Sequence, residues 1–243
     1  MRPLFSVLAV AAGFALPAIG AAAPPTNAEV GDAASFGSRV TWIGLLTTGY
    51  VMLERDCSAL AGSLGPDDRC VTIDPPPALT TASFADLGRI TLPKDSTDSL
   101  ICHWVTPTGY FEFANSTGAP ATASFRSVAT FRFESSVLND PNLINPVTGL
   151  PFNGAIERTV TTYNMSRTLA TGATQLEQIR GSRVCIGGLL SQQALVDEFG
   201  LTEGLAKKVL KEPITIRGGV IVTARHVVRA EMTYGTRFTG DKK

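Results

Sequence analysis

The chain has 243 residues, 44% of them hydrophobic and 17% charged, and its 21 basic and 21 acidic side chains cancel. That balance excludes a disordered polymer, which needs low hydrophobicity and high net charge, and a nucleic-acid binder that relies on a global positive field. No period runs through it, so collagen-like and coiled-coil readings fail, and the length suits one large domain or two small ones.

Residues 1–22 read as a secretory signal peptide. Arg2 supplies the positive start, Leu4 to Ile19 is almost wholly apolar, and Gly20 and Ala22 are the small residues that a signal peptidase reads. A retained anchor is the competing reading, since Pro3 to Ala23 is long enough to span a bilayer. The small-residue end and the Pro24-Pro25 pair favour cleavage. No later run is long enough to cross, so the mature chain is expected in a periplasm or outside the cell, with no membrane span. Residues 23–38 are rich in Pro, Ala and Gly and read as an irregular arm. Residues 39–243 form the domain, as one sandwich unit or as two with a sub-boundary near Ile156.

Export makes the cysteines interpretable. Cys57, Cys70, Cys102 and Cys185 allow three pairings in an oxidising compartment. Cys57 and Cys70 bracket a short polar loop that closes at low entropic cost, so they are paired here. Cys102 and Cys185 then pair by elimination.

Short strand-like runs separated by Gly, Pro, Asn, Asp and Ser clusters argue for an all-β domain. Two apolar runs in Val40 to Leu53 break at Thr47-Thr48-Gly49, a hairpin signal. Glu54 to Asp86 reads as loop, and Pro75-Pro76-Pro77 has no place in a central strand. Strands follow at Arg89 to Leu92 and Leu100 to Val105. The clearest alternation is Ala123 to Ser135, where Phe125, Ala129, Phe131 and Phe133 face one way and Arg126, Thr130, Arg132 and Glu134 the other. Tyr110 to Phe113, then an Asn- and Gly-rich turn at 114–120, then that strand, resembles the hairpin grammar of immunoglobulin-like sandwiches.

Asn139 to Gly154 is a long loop, and loops of that length are commonly functional. Ser191 to Leu210 is a small helical insertion: Ser191 caps a first helix, Gly200 stops it and Thr202 starts a second. Arg217-Gly218-Gly219 suggests a hairpin turn before a last strand that continues toward Phe238. Even positions from Val220 to Tyr234 share the core face of that strand, which places His226 inward.

Chemistry has few footholds. A Ser-His-Asp arrangement must use His103 or His226, and no GxSxG accompanies either. Cys102-His103, Cys185 and His226 lack metal-ligand spacing, and Asp67-Asp68 and Asp95–Asp98 lack the calcium-loop pattern. No phosphate-binding glycine motif occurs, so no cofactor is implied. Lys207, Lys208 and Lys211 read as a solvated helix face. Asn115-Ser116-Thr117 and Asn164-Met165-Ser166 are glycosylation acceptors where the host modifies exported chains.

Residues 23–120 hold 5 basic and 11 acidic side chains, whereas 121–243 hold 15 and 10. Either the halves neutralise each other inside one domain, or an acidic end of one copy meets a basic end of the next. These features predict an exported, non-enzymatic interaction or structural protein acting by self-association or surface adhesion, with a protein partner or other copies of itself. The alternatives are a hydrolase using His226 and a carbohydrate-binding module using Trp42, Trp104 or Tyr110 as stacking platforms.

Overall fold

The computed structural model describes residues 40–96, 99–180, 183–184 and 188–241. Within that part, the side chains of 40–43, 99–105, 180, 183–184, 188 and 241 are not described. The expected signal peptide and arm fall outside it. So do Cys185 and the side chains of Trp42, Cys102, His103 and Trp104, and with them the expected Cys102–Cys185 bridge.

Twelve strands and two helices are described. The strands are β1 (Val40–Thr47), β2 (Val51–Glu54), β3 (Arg69–Thr72), β4 (Leu79–Leu92), β5 (Ser99–Ala114), β6 (Ala121–Glu134), β7 (Ala155–Leu169), β8 (Thr174–Arg180), β9 (Arg183–Val184), β10 (Gly188–Leu190), β11 (Ile214–Arg225) and β12 (Val227–Asp241). The helices are α1 (Gln192–Asp197) and α2 (Glu203–Lys211).

One sheet runs β4-β11-β6-β7, antiparallel throughout. The other is built on the long antiparallel β5–β12 pair. The free edge of β12 takes β1 and then β2, and the free edge of β5 takes β8, β9 and β10. Strand β3 adds parallel to β2. The two sheets pack as a β-sandwich with a small helical insertion, as the sequence predicts, and strands from both sides of residue 156 share each sheet.

The core lies between the sheets. Phe125, Ala129, Phe131 and Phe133 of β6 are buried, as their period of two requires. Phe125 stacks on Phe111 of β5 at 4.7 Å, and Phe131 meets Phe238 of β12 edge-on at 5.3 Å. Each fully buried aromatic of this kind stabilises by about 2–3 kcal/mol relative to exposure.

The helical expectation holds in detail. The Ser191 hydroxyl accepts from the Ala194 N–H at 3.0 Å, that of Thr202 from Leu205 N–H at 3.4 Å, and Gly200 takes a φ of 66° between the helices. The expected Cys57–Cys70 disulfide is present. In the chain-entropy model a loop of that size contributes about 3 kcal/mol.

Several expectations are corrected. Thr47-Thr48-Gly49 is no hairpin, because β1 and β2 both lie along β12. The Thr48 Oγ1 accepts from the Tyr234 N–H at 3.0 Å, so a side chain bridges the ladder where β1 hands over to β2. Gly49 permits the jog, since a Cβ there would lie 2.3 Å from the Asp67 carbonyl oxygen.

The Glu54 to Asp86 segment is not all loop, for it holds β3 and the first half of β4. Residues 115–120 do not close a hairpin either. Strand β5 belongs to one sheet and β6 to the other, so the turn is a corner.

Gly218-Gly219 lies inside the unbroken strand β11. The glycines serve close approach instead of reversal: a Cβ at Gly219 would sit 2.5 Å from the Phe84 carbonyl oxygen and 2.7 Å from Thr130 Oγ1. The last strand, by contrast, is two strands. At His226, with φ 53°, the chain leaves one sheet for the other. The predicted even-numbered face is buried up to His226 and again from Ala230 to Tyr234, but Val227 is buried in place of Val228, where the register shifts.

Candidate functional site

The loop between β6 and β7 is the best-formed candidate. It leaves β6 through a short 3-10 turn over Ser136–Asn139, capped by the Ser135 side chain, and Leu138 buries itself beneath. Asp140 accepts from both the backbone and side-chain nitrogens of Asn142, at 2.9 and 3.0 Å. Phe152 N–H donates to the Leu143 carbonyl at 3.1 Å, and Asn145 N–H to that of Leu150 at 2.8 Å. At the tip, Gly149 N–H donates to the Asn145 carbonyl at 2.8 Å and Val147 N–H to Asn145 Oδ1 at 2.9 Å. Asn153 and Gly154 return the chain with φ of 50° and 83°, and Gly154 N–H closes the loop on the Leu138 carbonyl.

A segment bonded to itself in this way presents its tip without a further ordering cost on binding. The tip is apolar. Val147 is 78% exposed, Leu150 63% and Ile144 47%. Phe152 turns inward instead and meets the Phe199 ring at 6.3 Å, while Pro146 lies over Gly200. Three large apolar side chains grouped on one ordered loop differ from the scattered singles that are normal on a surface.

A groove of about 510 Å³ separates the loop from β7 and from Glu198 and Phe199 just after α1. Arg158 forms its wall. Its Nη1 pairs with Glu198 Oε2 at 2.6 Å, and its guanidinium carbon lies 4.9 Å from the Phe199 ring centroid. The Nε and Nη2 of Arg158 are buried and have no hydrogen-bond partner in the described part. Arg132 Nη1 holds Glu157 at 2.9 Å on the outer face nearby. The surroundings are thus mixed in charge, and the apolar tip is what distinguishes the site.

The structure disperses the other sequence candidates. His226 is 4% exposed, its carbonyl accepts from Ala114 N–H at 2.9 Å, and its Nδ1 is buried without a described partner. No Ser, Asp or Glu side chain in the described part bonds to it. Tyr110 lies on the outer face of the β5–β12 sheet. The Arg229 guanidinium covers its ring at 5.4 Å and its hydroxyl donates to Glu231 at 3.3 Å. Burial, then the neighbouring Glu231 charge, raise the Tyr110 phenol above its ordinary range. One face of the ring is therefore taken by Arg229.

Asp68 builds its own turn, accepting from the N–H groups of Tyr50 and Gly65, each at 2.8 Å. Lys207 and Lys208 are exposed on α2, and Lys211 lies 4.0 Å from Asp95. Among the described residues no group of three or more His, Cys, Asp or Glu side chains is placed to hold a metal.

Some charges of the two halves pair within the molecule. Asp95, Asp86 and Glu54 of the acidic half pair with Lys211, Arg217 and Arg229 of the basic half, and Lys94 with Glu212. Sequence reading found the loop by its Asn, Gly and Pro punctuation but missed its apolar tip. The available signal was Ile144, Val147 and Leu150 standing alone among turn residues.

No protein-family model matches the chain, and neither does any curated protein. Among solved structures it is similar to VP2 of infectious bursal disease virus in derived T=1 particles. That match has 14% identity and a TM-score of 0.18, over 70% of this chain and 34% of that one. A VP2 subviral particle gives 15% identity and 0.18, over 70% and 34%. The Gt strain of the virus gives 13% and 0.18, over 74% and 40%. The chain thus spans about a third to two fifths of the structures it matches. At these scores the likeness carries no argument.

Proposed function

We propose that this chain is an exported interaction protein that associates with further copies of itself through the 139–154 loop. The carrying observation is the ordered tip with Ile144, Val147 and Leu150 turned to solvent. A soluble domain that exposes such a group gains by covering it. The signal-like first 22 residues and the Cys57–Cys70 bridge support export, because disulfides persist in oxidising compartments. No helix among the described residues is long and apolar enough to cross a membrane.

The test is the solution mass of non-reduced mature protein by light scattering, with and without Val147→Asp plus Leu150→Asp. Multimers are expected for the parent and monomers for the variant, with unchanged melting because both side chains are exposed. A parent that stays monomeric at about 100 µM, well above a micromolar Kd, would sink self-association and redirect the search to a different protein partner.

A further inference from the structure

The two glycan-acceptor sequences lie in opposite environments. Asn164 is exposed on β7, the end strand of its sheet, and Ser166 is exposed two residues on, on the same outer face. No described residue bonds to the Asn164 side chain. Asn115 is 1% exposed at the corner between β5 and β6. Its Nδ2 donates to the carbonyls of Ala119 at 2.8 Å, Leu169 at 3.2 Å and Ala170 at 3.2 Å. Its Oδ1 accepts from the N–H and the hydroxyl of Thr117, at 3.0 and 2.6 Å. The backbone closes in as well: Asn115 N–H donates to the Ala173 carbonyl at 3.0 Å, and Gly172 N–H to that of Asn115 at 2.9 Å.

N-glycosylation would use the same Nδ2. The amide nitrogen attacks C1 of a lipid-linked oligosaccharyl diphosphate, forming the N–C1 bond. The C1–O bond breaks with its electrons on the leaving lipid diphosphate, and one amide proton passes to a base of the transferase. At Asn115 this removes one of two N–H donors that serve three carbonyls. It also puts a sugar ring where residues 169–173 pass. A buried carbonyl left unpaired is destabilising before any steric clash. Such transfer acts on the chain as it enters the compartment, before Asn115 is buried, so folding does not protect it.

The Cys57–Cys70 bridge independently favours an oxidising compartment. We infer that this chain folds where thiols are oxidised but glycans are not attached to Asn-x-Thr, and that Asn164 is the acceptor whose modification the fold tolerates. This rests on the export reading and narrows it to a compartment of the bacterial-periplasm kind.

The experiment expresses residues 23–243 behind a yeast secretion leader, with and without tunicamycin, and the full chain in a bacterium followed by fractionation. Untreated yeast should release several-fold less folded protein than treated yeast. Peptide mass mapping should find the retained chains modified at Asn115, and Asn164→Gln should not restore release. Equal folded yield with and without tunicamycin overturns the inference, as does rescue by Asn164→Gln. Failure of the export reading looks different: the full chain stays in the bacterial cytoplasm with reduced cysteines, whatever the yeast result.

Discussion

Tyr234 shows how one residue ties the sheets together. Its ring is buried, edge-on to Phe131 at 6.3 Å, and its hydroxyl donates to the Gly219 carbonyl of the opposite sheet. Burial holds its phenol well above the ordinary value of 10.0. A phenol raised in the folded state contributes stability that is intact below the unfolded value and is lost as pH rises beyond it. Unfolding free energy should therefore decline above pH 10. Tyr234→Phe should make that decline shallower by up to about 1.4 kcal/mol per pH unit, read from denaturant melts across alkaline pH. An unchanged slope would mean that this phenol titrates freely. His226 makes a second residue-scale case. Its φ of 53° penalises any side chain with a Cβ. His226→Gly and His226→Ala both lose the ring, but the glycine variant should be about 1 kcal/mol the more stable. The reverse order would show that the ring's packing, not the backbone, sets the cost there.

At the scale of elements, glycine pairs carry two meanings that sequence spacing does not separate. Gly218-Gly219 looks like a hairpin turn, but β11 runs straight through it because neighbouring strands approach too closely for a Cβ. Gly219→Val should cost about 3 kcal/mol by overpacking, where a solvent-exposed turn glycine with ordinary φ would lose little. Chemical denaturation of the purified variant decides between the two. Strand β11 also lies at the centre of an outer-face ladder in which Arg217 joins Asp86 at 2.7 Å and Glu134 at 2.9 Å. Both hydrogen bonds raise the Arg217 guanidinium further above its ordinary value, Glu134 more than Asp86. These partners are partly exposed, so each pair contributes between zero and about 1 kcal/mol. The ladder fixes side-chain positions more than it stabilises the sheet.

For the whole molecule, the proposed self-association rests on the apolar loop tip, while Asp95, Asp86 and Glu54 of the acidic half pair with Lys211, Arg217 and Arg229 of the basic half on the surface of the same molecule. The multimer should therefore change little between low and high salt, because apolar contact is not screened as charge contact is. Dissociation by salt alone would instead favour contact between acidic and basic ends. Much of this molecule is legible in its sequence. The period of two in β6 marks its inner face, because a pleated strand turns alternate side chains one way wherever it lies. Ser191, Gly200 and Thr202 bound the helices because capping is satisfied within a single turn. The Cys57–Cys70 bridge follows from a short closing loop. Tertiary structure decided what depends on distant partners. It put β1 and β2 end to end along β12, made corners of Asn115 and His226, and ran β11 through its glycines. It also left Val147 and Leu150 outside while drawing Phe152 in. Local pattern records which face of an element is apolar, but which surface covers that face is settled only by residues far away in the chain.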